Sequence, residues 1–167
     1  MAGPTRAAEV NMDMMFERVA SGINGAEGPV LDRAGRLFCV EPPTGKILEV
    51  RDDGSLREHA NTRGTPAGLQ ISSDDEIWVA DMKLGILRVD RAGAVHHEVS
   101  EFDGQSIRGC NDLSFDSRGN LYFTAPAGSN DQTRIGVVFC RLIDGNVIRL
   151  DRDYAFSNGI AVSAGDQ

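Results

Sequence analysis

The stretch from Arg108 to Gly128, RGCNDLSFDSRGNLYFTAPAG, contains two short apolar segments joined by a turn. Leu121–Thr124 is predicted to form a strand, and Ser117–Asn120 has the composition of the turn that precedes it. The polar pair Asn111–Asp112 is unusual, because it opens the first apolar segment instead of lying in the turn. A repeat that runs through the chain accounts for its position.

The same pattern begins four times along the chain, at Glu27, Ala67, Asn111 and Asn158, which are 40, 44 and 47 residues apart. One variable residue is followed by an apolar strand and then by a turn rich in Asp, Ser and Gly. The first three copies continue with a second strand, and the fourth reaches the end of the chain in its turn. A third and a fourth strand are predicted in each complete copy: Gly45–Val50 with Ser55–Ala60, Gly85–Asp90 with Ala94–Val99, and Ile135–Leu142 with Asn146–Leu150.

Four short strands in each unit of about 40–50 residues are typical of β-propeller blades. A sandwich or barrel with regular hairpins is the competing interpretation, but its strands do not repeat a four-stranded motif in phase. The coils of a β-helix are shorter than these units. We therefore predict an all-β chain with a flexible N-terminus at residues 1–13. Residues 14–167 are predicted to form a partial β-propeller, truncated at the C-terminus to about three and a quarter four-stranded blades.

The composition of the 167 residues is that of one ordinary domain and argues against several kinds of partner. Lys and Arg number 17 against 25 acidic residues, a net charge of −8, and they are scattered. Nucleic acid and membrane surfaces are therefore not expected as partners. The chain has no apolar segment of membrane-spanning length, and its N-terminus lacks the apolar core of a secretory signal. Three distant cysteines suit a reducing compartment, so we expect a cytoplasmic protein.

The residue that opens the first strand of each blade is expected near the mouth of the central channel of a propeller. Glu27, Asn111 and Asn158 hold this position in three copies, and Ala67 holds it in the other. One carboxylate and two amide oxygens form a hard ligand set, which favours Ca²⁺ or another divalent cation such as Mg²⁺. Each residue alone is more typical of a turn or loop. Because the three residues hold the same position in the repeat, it remains open whether they bind a metal or fix turns.

Other polar residues are weaker candidates for a site. His96 and His97 are adjacent, so on a strand they face opposite sides and cannot bind one metal. Cys110 has no histidine in phase with it and is predicted to be a packed thiol instead of a nucleophile. Asp81 and Asp116 are predicted to fix turns.

Four stretches together resemble a known family: GAEGPVLDRAG, PAGLQIS with IWVADMKLG, GCNDLSFDSRGNLYFTAPAG, and FSNGIAV. From about Phe16 to Val162 the chain resembles the senescence-marker-protein/gluconolactonase family of six-bladed propellers. Its motifs are most similar to the fluorophosphatase branch. The resemblance implies a calcium-dependent hydrolase of a lactone, ester or phosphotriester, with Ca²⁺ held by Glu, Asn, Asn and Asp from four blades. It implies that Glu27, Asn111 and Asn158 are the first three ligands.

The resemblance also implies the remaining parts of the site. The fourth ligand, an Asp that serves as nucleophile or general base, is expected to open the fifth blade about 45–50 residues past Asn158. No catalytic residue is therefore expected within this chain. Met82, Arg134 and Phe156 match substrate-binding positions of the fluorophosphatase branch. Pro42–Pro43 departs from that branch, which has an acidic pocket residue there.

The resemblance implies a monomeric full-length enzyme with a small-molecule substrate, and a chain that is inactive alone. A non-catalytic propeller that binds a small ligand or a protein is the alternative. An acid at the start of the fifth blade would support the enzyme, and an apolar residue there would support the binding module. Met14–Val19 is expected to be a strand that pairs with the last blade.

Overall fold

A computed structural model describes residues 16–163 and 165 of the chain. Within these residues three four-stranded antiparallel sheets follow one another, each with its strands hydrogen-bonded in chain order. The first sheet contains β1 (Glu27–Leu31), β2 (Leu37–Glu41), β3 (Lys46–Val50) and β4 (Leu56–Asn61). The second contains β5 (Pro66–Ile71), β6 (Ile77–Asp81), β7 (Gly85–Val89) and β8 (Val95–Val99).

The third sheet follows a short hairpin of β9 (Glu101–Phe102) and β10 (Gln105–Ser106). It contains β11 (Leu113–Phe115), β12 (Leu121–Ala125), β13 (Gly136–Arg141) and β14 (Val147–Tyr154). The first strands of successive sheets are neighbours, since β5 contacts both β1 and β11. The three sheets are therefore consecutive blades of a β-propeller, which confirms the predicted all-β fold class. We call the end of the blades where β1, β5 and β11 begin the upper end, and the other the lower end.

Apolar side chains from facing sheets fill the spaces between the blades. Phe38 and Val79 belong to the cluster between the first and second blades. Trp78 and Phe123 belong to the cluster between the second and third blades. Because alternate residues of a strand face opposite sides of a sheet, β6 contributes to both clusters. The second blade is thus buried on both faces, which explains the continuous apolar sequence of β6.

Charged side chains join the second and third blades near the lower end. Arg88 forms ion pairs with Glu76 at 2.9 Å and with Glu98 at 2.8 Å. Arg141 of the third blade reaches Glu98 at 3.2 Å, and its guanidinium lies 5.1 Å from the centre of the Trp78 ring. The network links the two blades where the apolar cluster meets solvent.

Aspartates fix the turns between the first two strands of the first and third blades. In the third blade Asp116 Oδ1 accepts hydrogen bonds from the backbone N–H groups of Arg118 and Asn120. Asp32 makes the same pair of bonds in the first blade. The Asp-rich turns of the sequence repeat therefore close hairpins, as predicted for Asp116.

The strands after the third hairpin differ from those predicted. β14 continues to Tyr154, beyond the predicted end at Leu150. No strand lies within residues 158–163, where a fourth blade was predicted to begin. A first strand requires a second strand to pair with, and none follows it in the described part of the chain.

The N-terminal predictions fall partly outside the described residues. The flexible segment predicted at residues 1–13 lies wholly outside them. The strand predicted at Met14–Val19 is described only from Phe16, and residues 16–19 are not in a strand. No sheet edge of the described residues pairs with them.

Within the described residues, no helix has both the length and the apolar character that a membrane crossing requires.

Replacing Phe123 with Ala is expected to lower the free energy of unfolding by about 3–5 kcal/mol, because it empties a core site. Phe123 is fully buried, and its ring stacks on Phe139 with 5.3 Å between centroids. Phe16→Ala is the matched control, because it removes a ring that is 88% exposed. Urea unfolding of both variants measures the difference. Equal losses would contradict the described core.

Candidate metal centre

The three candidate ligands lie at the upper end of the blades. Glu27 pairs with Val40 near the end of β2. The backbone N–H of Asn111 donates to the carbonyl of Thr124 near the end of β12, at 3.0 Å. The carbonyl of Asn158 accepts a hydrogen bond from the Thr124 hydroxyl at 2.6 Å. The position that opens each repeat therefore lies at the same end of its blade.

Glycines allow the first strands to approach one another closely at this end. A Cβ atom on Gly28 would lie 2.5 Å from the carbonyl oxygen of Ala67. A Cβ atom on Gly68 would lie 2.7 Å from the carbonyl oxygen of Asn111. Both separations are too short for a carbon and an oxygen that are not bonded. The backbones that carry positions 27, 67 and 111 are thus in direct contact, in that order.

Asp112 holds the segment after Asn158 beside the third blade by a hydrogen bond. Its Oδ2 accepts the backbone N–H of Ile160 at 2.9 Å, and its Oδ1 accepts the N–H of Leu113 at 2.9 Å. A Cβ atom on Gly159 would lie 3.7 Å from Asp112 Oδ2, an ordinary contact. The carboxylate of Asp112 therefore binds backbone groups, and the fourth repeat begins next to the third.

The first strands are irregular beside the candidate ligands. The register of β1 against β2 shifts within Glu27–Val30, and that of β5 against β6 shifts within Pro66–Gly68. In the third blade the carbonyl of Thr124 accepts the N–H of Asn111, and the N–H of Thr124 donates to the carbonyl of Asp112. Two residues at the start of the third blade therefore lie opposite one residue of β12. Such bulges are common next to active sites, because an extra residue changes the direction of a side chain.

The side chains of the candidate ligands differ in their hydrogen bonding from the side chains that fix turns. Among the described residues, the side chains of Glu27, Asn111 and Asn158 have no hydrogen-bond or ion-pair partner. Asn130, in contrast, accepts two backbone N–H groups through its Oδ1 in the loop before β13. The turn interpretation of Asn111 and Asn158 requires bonds of this kind, so we keep the ligand interpretation as the proposal.

The donor set fits calcium. Glu27 and Asn158 are exposed and Asn111 is half-buried, so these oxygens are accessible from the upper end. Ca²⁺ takes about 6–8 oxygen ligands, which include carboxylates and Asn carbonyls. Within the described residues, no three His, Cys, Asp or Glu side chains form a cluster that could hold a metal. A site at this end would therefore draw two of its oxygens from amides.

Asp81 fixes the connection at the upper end of the second blade, as predicted. It is fully buried, and its carboxylate accepts four hydrogen bonds: from the N–H groups of Thr65, Lys83 and Leu84 and the hydroxyl of Thr62. The next residue, Met82, accepts the backbone N–H of Gly109 through its carbonyl at 2.8 Å. Met82 thus lies beside the segment that leads into Asn111.

The other two predicted substrate residues lie on the third blade. Phe156 is exposed and precedes Asn158 in the segment that leaves β14. The Nε of Arg134 donates to the carbonyl of Asp153 in β14 at 3.2 Å. Phe156 is therefore two residues away from a candidate ligand along the chain, and Arg134 bonds to the outer strand of the blade.

Cys110 precedes Asn111 but does not behave as a nucleophile. It is fully buried, and burial together with the charge of Asp81 raises the pKa of its thiol to about 12. A thiol with so high a pKa remains protonated at neutral pH. The structure confirms the prediction of a packed thiol.

Two grooves lie near the lower end of the blades. One, of about 1020 Å³, lies between residues 17–21 and the lower-end turns of the first blade. The other, of about 460 Å³, lies between the second and third blades around Trp78 and Arg141. Neither is lined by any of the three candidate ligands. The charged residues of the second groove include the ion pairs that join the blades.

The fold and these motifs place the chain in a family. It belongs to the SMP-30/gluconolactonase/LRE-like family, whose model matches residues 25–167. It is 36% identical over 175 residues to diisopropyl-fluorophosphatase from Loligo vulgaris, across 90% of this chain and 55% of that protein. This chain therefore spans about half the length of the curated relatives it matches.

Solved structures agree in fold. A gluconolactonase from Xanthomonas campestris has a TM-score of 0.72 at 19% identity, across 80% of this chain and 50% of that one. Regucalcin from Agrobacterium tumefaciens, a calcium-binding protein, has a TM-score of 0.63 at 20% identity, across 81% and 45% of the two chains. At these identities the likeness shows the fold alone.

Two residues at the upper end were not identified from the sequence as supports of the site. Asp112 and Thr124 bond to the backbone that carries the candidate ligands. The sequence repeat contains one signal that could have identified Thr124. Thr124 is polar at a strand position where the first two blades have Val40 and Ala80.

Gly68→Ala is expected to weaken calcium binding, because its Cβ would displace the backbone of Asn111. Loss of a residue that supports a metal ligand typically lowers metal affinity about 10–100-fold, so we expect the dissociation constant to rise at least about tenfold. Gly159→Ala is the matched control, since its Cβ meets only an ordinary contact. Isothermal titration calorimetry gives the dissociation constants. An unchanged constant for Gly68→Ala would contradict the packing described here.

Proposed function

We propose that this chain forms the metal-binding part of a calcium-dependent hydrolase of the gluconolactonase/diisopropyl-fluorophosphatase type. The proposal rests on the location of Glu27, Asn111 and Asn158, which open three of the four repeats and lie at the upper end. Their side-chain oxygens have no protein partner among the described residues. Family membership supports the hydrolase, and the oxygen donors of the three residues support the choice of metal.

In this proposal Glu27 holds the ion through its carboxylate, and Asn111 and Asn158 hold it through their amide oxygens. Bound calcium would supply a Lewis acid for a C=O or P=O group of the substrate. One carboxylate compensates only part of the charge of a divalent cation. The upper end would therefore attract an electron-rich substrate oxygen.

A longer protein that contains this chain would complete the site. We propose that its fourth ligand is an Asp that opens a fifth blade, about 45–50 residues past Asn158. That Asp would act as nucleophile or general base. The curated relatives are about twice as long as the matched part, which supports a contribution from further blades. We assign no catalytic residue to this chain and expect no turnover from it alone.

The proposed substrate is a small lactone, ester or phosphotriester. Met82 and Phe156 would contact its apolar part, since both side chains are exposed. Met82 lies beside the segment that leads into Asn111, and Phe156 is two residues before Asn158. Arg134 would make a more distant contact from the third blade. The names of the relatives specify both a lactone and a fluorophosphate, so the proposal includes both classes.

The proposal includes a monomeric, cytoplasmic protein without nucleic-acid or membrane partners. Cys39, Cys110 and Cys140 are all free and buried, which supports a reducing compartment. The net charge of −8 supports the exclusion of polyanionic partners.

Calcium is expected to raise the melting temperature of the chain by about 5–10 °C at 100 times its dissociation constant, because it binds only the folded state. Asn111→Ala and Asn158→Ala each remove one ligand oxygen and should abolish the difference between calcium and chelator. Asn146→Ala is the matched control, because this exposed asparagine lies in the lower-end turn between β13 and β14. A full calcium shift in both ligand variants would contradict the proposed metal set.

The longer protein is expected to hydrolyse gluconolactone or diisopropyl fluorophosphate only while calcium is present. Chelation should stop turnover, calcium should restore it, and Asn111→Ala should reduce it to background. A product assay in matched buffers measures each step. Calcium binding without hydrolysis of either substrate would instead favour a non-catalytic propeller that binds a ligand.

A further inference from the structure

We infer that Thr124 is a positioning residue that sets the spacing between the two amide ligands, Asn111 and Asn158. The inference rests on the proposed calcium site. Thr124 is the fourth residue of β12 and is only 2% exposed. It would not touch the ion or the substrate, and its role would be exerted through the backbone of both ligands.

The hydrogen bonds of Thr124 connect two segments that are distant in sequence. Its carbonyl accepts the N–H of Asn111 at 3.0 Å, and its hydroxyl donates to the carbonyl of Asn158 at 2.6 Å. The same hydroxyl accepts the N–H of Asp112 at 3.2 Å. One buried residue thus bonds to the backbone of two candidate ligands that are 47 residues apart, to Asn111 through its carbonyl and to Asn158 through its hydroxyl.

Comparison of the blades shows that packing alone does not require this hydroxyl. The equivalent residues of β2 and β6 are Val40 and Ala80, both fully buried and apolar. Burying a hydroxyl costs free energy unless it is hydrogen-bonded. For Val40 and for Ala80, one of the two nearest repeat-opening positions is Ala67, which has no side-chain oxygen. Thr124, in contrast, bonds to the repeat-opening residues Asn111 and Asn158, which are both candidate ligands. The hydroxyl occurs where two ligands must be held together.

The geometry of calcium makes this spacing important. Ligand oxygens lie about 2.3–2.6 Å from the ion, so a small shift of one backbone removes its ligand from reach. Asn158 is not in a strand, and no ladder of backbone hydrogen bonds fixes it. Its carbonyl depends on the Thr124 hydroxyl, and the residues after it depend on bonds to Asp112 and Ser114. Loss of the Thr124 hydroxyl would remove the hydrogen bond that holds the carbonyl of Asn158.

Thr124→Val tests the inference, because valine keeps the shape of the side chain and removes its hydroxyl. The dissociation constant for calcium, measured by isothermal titration calorimetry, is expected to rise about 10–100-fold. Thr124→Ser restores the hydroxyl and should restore an affinity close to that of the unaltered chain. If Thr124→Val does not fold, Thr124→Ala gives the same test, since the second blade has Ala80 at this position.

Thr62→Val is the matched control for a purely structural effect. Thr62 is also a buried threonine, and its hydroxyl donates to Asp81 Oδ2 at 2.9 Å. It makes no contact with either amide ligand. Thr62→Val should therefore lower the melting temperature in chelator, as Thr124→Val does, and leave the calcium affinity unchanged.

The outcomes separate this inference from the proposed function. Calcium binding by the unaltered chain and Thr124→Val with equal affinity would overturn the role of Thr124 and leave the calcium site in place. Equal weakening by Thr124→Val and Thr62→Val would also overturn it, because the effect would then be one of stability. No calcium binding by the unaltered chain would overturn the metal site and the inference together.

Discussion

Successive first strands are in direct backbone contact at the upper end, and this contact limits how the blades can be arranged. Gly28 and Gly68 leave no room for a side chain, so the backbones of β1, β5 and the start of the third blade touch. This contact sets how near the residues that open each repeat can come to one another. It also explains why the first two copies of the repeat have Gly after the variable residue.

Hydrogen bonding distinguishes the structural oxygens of this chain from the oxygens proposed to bind a ligand. Asp81, Asp112 and Asp116 are acidic residues near turns or strand ends, and their carboxylates accept backbone N–H groups. Buried or half-buried carboxylates of this kind are stabilised by such donors and stiffen the connections between strands. Glu27 and Asn158 lie at comparable places in the repeat and keep their side-chain oxygens exposed. Charge alone does not separate these two groups of residues.

Much of the fold could be predicted because the signals that determine it are local. Periodic apolar strands and Asp-rich turns recur in phase, and the structure contains the predicted four strands in each of three blades. The hairpin of β9 and β10 was missed because its two-residue strands are too short to produce a pattern. The hydrogen bond from Thr124 to Asn158 was missed because the two residues are distant in sequence. A first strand after Asn158 was predicted from the repeat, but strand formation also requires a neighbour to pair with.

A crystal structure of this chain grown with calcium chloride would test the proposed metal site. We expect one calcium ion at the upper end, with oxygens of Glu27, Asn111 and Asn158 about 2.3–2.6 Å from it. Water molecules would complete the coordination in the chain alone. A structure in which calcium binds elsewhere, while these three side chains contact only solvent, would contradict the account.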